Sequence, residues 1–422
     1  MDKNLVNIGK KANRALTVKI DQKLKNKILY KFGKLINENK SKIIKENKKD
    51  IKFAIKKGLK ENLIDRLLLN NSKINQIIKS INNIAKLKDP TNITLSKWKR
   101  PNGLVIKRVT IPIGVIGVIY ESRPNVTSDV SSLCFKSGNS VILRGGSEAY
   151  FSNLIISKLF RKALKENKVD ENYVQFIKNR NRKVVDILLS KMEKFIDVII
   201  PRGGKNLVSK VQKISKIPII GHLEGNCHTF IDKDAKLNLA EKIVYNAKLR
   251  NTSICGATET VLFHEKTLKK FVNPVLKKLE KNNCIIIADK KIKKIFKGKA
   301  KNATEKDWSK EYLLPMVSVK SVKDVKVAVN HINKYGTMHT DAILTQNKKT
   351  ANFFLKNVKT SIAILNSSTQ LADGGEFGFG GEVGISTNKI PPRGPVGLNQ
   401  LVSYKYEIIG TGQIRKKIEK KF

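Results

Sequence analysis

The spacing of apolar residues changes character near residue 110. Before about residue 90, Ile, Leu and Phe recur at helical intervals among Lys and Asn, as in Ile64, Leu67 and Leu68 between Asn62 and Asn71, which predicts several amphipathic helices. Around residues 97–106, Asn102-Gly103 stands between two strand-like runs, the signal of a β-hairpin. From Pro112 onward, short apolar runs alternate with helical stretches. Val141-Ile142-Leu143 leads into Arg144-Gly145-Gly146-Ser147. Val198-Ile199-Ile200 leads into Pro201-Arg202-Gly203-Gly204, ahead of a helix carrying Leu207, Val208 and Val211. A helix is predicted over 321–335, with Val325, Ala328, Val329 and Ile332 on one face, a Ser-x-x-Asp start and Gly336 as its stop. Strands over 341–345 and 361–365 flank a further helix around Phe353. This alternation predicts parallel sheets covered by helices, an α/β fold.

Length and charge narrow the picture. A chain of 422 residues with 40% apolar content can build two or three units around sizeable cores. The formal charge is +49, from 84 Lys+Arg against 35 Asp+Glu, which invites a nucleic-acid-binding reading. That class is the weaker alternative. Only 13 of the basic residues are Arg, and Lys is spread along the whole chain, whereas groove readers concentrate charge and use Arg forks. The few Arg that remain are candidates for places where a planar fork is needed. The longest apolar candidate, over 109–120, holds Pro112, Gly114 and Gly117 and is too short to span a membrane. The N-terminus opens without the apolar stretch of a signal peptide, so a cytoplasmic location is expected. Cysteines at 134, 227, 255 and 284 form no CxxC pair, so neither a disulfide framework nor a metal site is expected.

Four segments could carry chemistry. Cys255 lies in a small polar loop, Arg250-Asn251-Thr252-Ser253-Ile254-Cys255-Gly256, whereas Cys134 and Cys284 sit among apolar neighbours. A loop feeding a helix N-terminus could lower a thiol's pKa and leave it accessible; an inert thiol is the other reading, and the residues alone leave both open. Arg202-Gly203-Gly204 before a helix is either a phosphate cradle or a plain turn. Tyr120-Glu121-Ser122-Arg123-Pro124-Asn125 follows an apolar strand, where open α/β sheets place ligands, though it is also an ordinary Pro-bearing turn. Over 373–384, six Gly in 12 residues, with Phe377 and Phe379 among them, fit a loop moulded onto a ligand better than a helix, a strand or a plain linker.

Taken in order, several motifs carry a resemblance. They are Tyr120-Glu121-Ser122-Arg123-Pro124-Asn125-Val126-Thr127, Leu143-Arg144-Gly145-Gly146-Ser147-Glu148, Gly221-His222-Leu223-Glu224-Gly225-Asn226-Cys227-His228, Cys255 with Glu259-Thr260, Asp373-Gly374-Gly375-Glu376-Phe377-Gly378 and Arg393-Gly394-Pro395. From about residue 5 to 415 the chain resembles the γ-glutamyl phosphate reductase branch of the aldehyde dehydrogenase superfamily. The resemblance implies two Rossmann-like parallel-sheet domains plus a small β oligomerisation extension. A cofactor-binding domain would span 1–242, with the extension's hairpin at 97–110, and a catalytic domain 243–366. Residues 367–400 would return to the cofactor domain, and 401–422 would add an oligomerisation strand and tail. It implies NADPH/NADP as cofactor, L-glutamyl 5-phosphate as substrate, a homo-oligomer, and a glutamate 5-kinase as a possible substrate donor. Cys255 would be the nucleophile, with Asn125 as oxyanion donor. Arg144, Gly145, Gly146, Ser147, Arg202, Gly203, Gly204 and Glu311 would face the cofactor. Glu224 is grouped with them but has no assigned role. Arg123 and Arg393 would meet the substrate. The alternative within this chemistry is another acylating or hydrolytic aldehyde dehydrogenase. The sequence departs from the branch at Glu224, Gly256, Gln370 and Pro391.

Overall fold

A computed structural model describes residues 2–59, 61–121 and 123–415; the end of the expected C-terminal tail, 416–422, lies outside them. The chain opens with helices Lys3–Ala15, Gln22–Glu38, Lys40–Lys56, Glu61–Leu67 and Asn71–Lys86. The last illustrates the helical spacing. The Asn70 side chain caps it by accepting from Lys73 N at 2.8 Å, and Ile74, Ile77, Ile81 and Ile84 form its buried stripe. That stripe packs on helix Gln22–Glu38.

Two parallel sheets follow. The first has four strands in the order Val174–Phe176, Ser140–Gly145, Val115–Tyr120, Val198–Arg202. Its central strand is buried along its whole length, as a parallel strand covered on both faces must be. The carboxyl ends of these strands are the segments Tyr120-Glu121, Arg144-Gly145 and Arg202-Gly203, the places where an open α/β sheet presents ligands. The second sheet has seven parallel strands: Ala300–Asn302, Ile285–Ala288, Met316–Val322, Thr258–His264, Cys227–Ile231, Thr340–Leu344, Ile362–Leu365.

Two expectations change. The expected domain boundary at 242/243 falls too late, because strand Cys227–Ile231 pairs with Thr258–His264 and Thr340–Leu344 inside the second sheet. Its composition marks it as a buried strand but says nothing about which sheet recruits it. The helix expected over 321–335 begins only at Val325. Residues Met316–Val322 are a strand whose Ser321 aligns with Phe263, and Asp324 caps the helix by accepting from Val327 N at 2.9 Å. Helical periodicity in the later residues masked a strand made of the same residue types.

The Asn-Gly hairpin is present as Thr94–Lys99 against Val105–Pro112, with Gly103 at φ +89° in its turn. Strand Val402–Ile409 adds to its other side, so three antiparallel strands stand apart from both parallel sheets. Trp98 packs edge-on to Tyr406 at 6.2 Å, while Tyr404, Ile408 and Ile409 are exposed. Among the described residues, no helix is long and apolar enough to cross a membrane.

Candidate active site

Cys255 lies in the loop joining helix Leu237–Leu249 to strand Thr258–His264. A strand, not a helix, follows it in the chain, so the helix N-terminus expected directly after this loop is absent. Two imidazoles stand beside the thiol instead. Its Sγ and one ring nitrogen each of His222 and His339 lie within 4.8 Å of one another, and the two rings meet edge to face at 4.8 Å. His222 comes from the segment that crosses from the first sheet to the second; its Nδ1 is 2.8 Å from the Ile385 carbonyl, so Nδ1 carries a proton. His339 immediately precedes strand Thr340–Leu344. Its Nδ1 is 2.9 Å from Thr340 Oγ1, and its buried Nε2 has no partner among the described residues. Burial pushes the Cys255 thiol up, but His339 and His222 beside it outweigh that and hold it well below its ordinary range. Burial acts to lower His222 in turn; the thiolate outweighs it, and the imidazole sits above its usual value.

The backbone of Cys255 is held closely. The Cys227 thiol donates to the Cys255 carbonyl at 3.0 Å. A Cβ placed on Gly225 would meet the Cys255 Cβ at 2.6 Å, so only glycine fits there. Gly225 N donates to Glu311 Oε1 at 2.9 Å. Burial raises the Glu311 carboxyl, the Gly225 N–H draws it back, and Cys255 and Glu224 raise it further. The loop carrying Glu311 is tied at Leu313, whose N donates to Glu259 at 3.2 Å. Glu259 forms a fully buried pair with Lys248 at 2.5 Å; burial raises Glu259 to about 7 against the pull of Lys248. Gln370 braces the other side of the nucleophile loop. It accepts from Arg250 Nε at 2.8 Å and donates to the Ala247 carbonyl at 2.8 Å, an internal role for the residue that departs from the branch.

Cations gather beside the thiol. Burial lowers Arg123 to about 10, helped by Arg202 and Arg66, while Cys255 and Glu382 act in the opposite direction. Arg66 also donates to the Ser253 carbonyl at 3.3 Å, in the nucleophile loop. Arg202 pairs with Glu382 at 3.7 Å, and Glu382 accepts from Gly374 N at 3.0 Å, which fastens the glycine-rich loop to this pocket. Asn125 stands two residues beyond Arg123, in the first turn of helix Pro124–Lys136. Its amide donates to Asp129 at 3.2 Å.

The groups expected to face a cofactor sit at the strand ends of the first sheet. Arg144 is tied to the fold by two bonds, donating to the Gly145 carbonyl at 2.8 Å and the Arg180 carbonyl at 3.1 Å, while its buried Nε has no partner among the described residues. Ser147 Oγ donates to Glu148 at 2.9 Å, and Glu148 faces Lys57 at 3.6 Å. Arg180, absent from the expected set, lies over the rings of Phe53 and Tyr150 at 4.8 and 5.1 Å and donates to the Ser147 carbonyl at 3.2 Å. At the start of helix Lys205–Ile214, Gly204 N donates to Glu121 at 2.8 Å, and Glu224 pairs with Lys205 at 2.7 Å.

The structure thus gathers Cys255, Arg123, Arg202, Glu224 and Glu311. Arg393 is not joined to them by any recorded contact: its guanidinium donates to Ser361 Oγ at 3.1 Å and to the Lys359 carbonyl. His222, His339, Arg66 and Glu382 were missed. A usable signal existed for the first two, because the chain has only five His and spends two of them beside one thiol.

Comparisons with known proteins identify the family. The model of the aldehyde dehydrogenase family matches residues 3–288. The γ-glutamyl phosphate reductase of Bartonella quintana is 44% identical over 410 residues, covering 97% of this chain and 99% of the relative. That of Thermodesulfovibrio yellowstonii is 44% identical over 406 residues, covering 96% and 97%. The crystal structure of the Thermotoga maritima γ-glutamyl phosphate reductase superposes with a TM-score of 0.95 at 39% identity, over 98% of this chain and 100% of that one. The family match, these relatives and this order of motifs, with a half-buried cysteine set between two imidazoles, place the chain in the aldehyde dehydrogenase family, in its γ-glutamyl phosphate reductase branch.

Proposed function

We propose that the protein reduces L-glutamyl 5-phosphate to L-glutamate 5-semialdehyde, releasing phosphate, with NADPH as reductant and a thioester on Cys255 as intermediate. The observation that carries this reading is the Cys255 thiol set with ring nitrogens of His222 and His339 within 4.8 Å of one another, with Arg123, Arg202 and Arg66 grouped beside it. The thiolate attacks the acyl-phosphate carbon, and the C–O bond to phosphate breaks. The arginines balance the charge of the doubly anionic phosphate as it leaves. The Cys255 N–H and the Asn125 amide are the donors proposed for the oxyanion. Glu311, fixed by Gly225 N, and Glu224, held by Lys205, line the same face. No water-activating base is needed, since hydrolysis would waste the thioester.

The residues present suit a dinucleotide. A Cβ on Gly203 would meet the Glu121 carboxylate at 2.6 Å, and the helix start behind it already takes a carboxylate on Gly204 N, the chemistry a pyrophosphate needs. Arg180 supplies a guanidinium for a 2′-phosphate, which would also take the place of Glu148 on the Ser147 hydroxyl and on Lys57; Arg144, expected in that role, ties down the turn that carries them. When bound, NADPH supplies the hydride that takes the thioester to the aldehyde. Exposed Tyr404, Ile408 and Ile409 on the separate antiparallel sheet favour a homo-oligomer. The test is reverse turnover: L-glutamate 5-semialdehyde should reduce NADP⁺ only when inorganic phosphate is added, and NAD⁺ far more slowly. Reduction without phosphate would favour a hydrolytic dehydrogenase.

A further inference from the structure

We propose that Cys255, His222 and His339 form a binding site for one borderline-soft divalent cation, zinc or cadmium, which closes the active site reversibly. One thiolate and two imidazoles are ligands that such ions prefer over hard oxygen donors. Their ligand atoms lie within 4.8 Å of one another. A tetrahedral zinc with Zn–S near 2.3 Å and Zn–N near 2.05 Å needs S···N separations of about 3.5 Å, so the three must draw in by roughly 1 Å at the widest pair.

Two further observations favour binding. The Ile385 carbonyl fixes the His222 ring through Nδ1 and leaves Nε2 for a metal, the outer hydrogen bond that metal-bound imidazoles ordinarily make. The fully buried His339 keeps Nε2 without a partner, while Nδ1 is taken by Thr340. An unpaired buried nitrogen is costly, and a cation would relieve that cost. Cys227 stays outside the set: its thiol lies on the Cys255 carbonyl at 3.0 Å and meets His339 at 3.6 Å only on Nδ1, the nitrogen that also meets Thr340. Binding forms one S–metal and two N–metal bonds, releases any protons the imidazoles carry, and leaves the fourth position to water. No electron is transferred, so a chelator restores the thiolate.

The test uses the full-length protein without substrate or cofactor, so its outcome is independent of the proposed reaction. Titration with cadmium should produce a thiolate-to-metal absorption band that saturates at one ion per chain. Saturating zinc should slow iodoacetamide alkylation of Cys255 at least about tenfold, and a chelator should reverse this. Cys255→Ser should abolish the band, and His222→Asn or His339→Asn should each weaken binding about tenfold or more. Cys134→Ser and Cys284→Ser should leave it intact. His222 is less deeply buried than His339, so His222→Asn serves if the other variant fails to fold. A band that survives Cys255→Ser, unchanged affinity in a folded His222→Asn protein, or alkylation indifferent to zinc would overturn the site.

Discussion

Replacing His339 by Asn leaves an amide within reach of Thr340 but removes one of the two imidazoles that hold the Cys255 thiol down. An opposite charge in hydrogen-bond range shifts a pKa by about 1–3 units; the middle of that range is about two. At a pH below both thiol values, the ionised fraction then falls about a hundredfold. The more basic thiolate is also more nucleophilic, and a Brønsted slope of roughly 0.5 returns about tenfold of that loss. The net expectation is alkylation by iodoacetamide about tenfold slower at pH values below both midpoints. The disadvantage should shrink and then reverse as pH rises through the variant's higher midpoint. The sign is fixed by the direction of the shift: a thiol lowered in the native protein is reactive at acid pH, and losing an imidazole moves that reactivity upward. The assay is the alkylation rate from about pH 5 to 10, with circular dichroism to verify folding. A folded variant whose midpoint stays where it was would refute imidazole control of the nucleophile. His222 and the thiol titrate as one coupled unit, so the measured midpoint belongs to the cluster.

Other perturbations reach different parts of the account. Gly225→Ala must push the Cys255 loop aside; kcat should fall on the order of 10²-fold with a stability loss of about 1–3 kcal/mol, and an unchanged kcat would remove the steric argument. Lys248→Met strands the buried Glu259 carboxylate and should cost about 3–5 kcal/mol in denaturant unfolding, while the Lys248→Met/Glu259→Met pair should recover most of that; additive losses would count against the coupling. Arg180→Ala should weaken NADPH at least about tenfold more than NADH in a fluorescence titration. Arg144→Ala should weaken both alike, and a selective loss on Arg144→Ala would restore that residue to the phosphate site.

What the chain announces about itself follows the range of the forces involved. Local signals survive into the structure: the Asn102-Gly103 turn, the isoleucine stripe of Asn71–Lys86 and the apolar strand Val115–Tyr120 each depend on neighbours in sequence. Sheet membership does not, which is why Cys227–Ile231 reads as a strand without revealing that it belongs beside Thr258–His264. Cys255 is visible as a cysteine in a polar loop, but the lowering of its thiol comes from His222 and His339, which lie 33 residues before and 84 after it. The scarcity of Arg singles out Arg123 and Arg202, which lie in the neighbourhood of the thiol. It cannot separate them from Arg144, whose guanidinium satisfies two backbone carbonyls, or from Arg393, which holds the 359–361 segment. A fork needed for backbone carbonyls looks the same in sequence as one needed for a phosphate.

The most direct test of the central claim is to catch the covalent intermediate. The protein would be mixed with L-glutamyl 5-phosphate generated in place from glutamate and ATP by a glutamate kinase, with NADPH withheld, then acid-quenched and digested for mass spectrometry. The account predicts one glutamyl group in thioester linkage on the peptide containing Cys255, discharged when NADPH is added before the quench and absent from Cys255→Ala. A glutamyl group on another residue, or turnover by Cys255→Ala at more than a few per cent of the native rate, would contradict it.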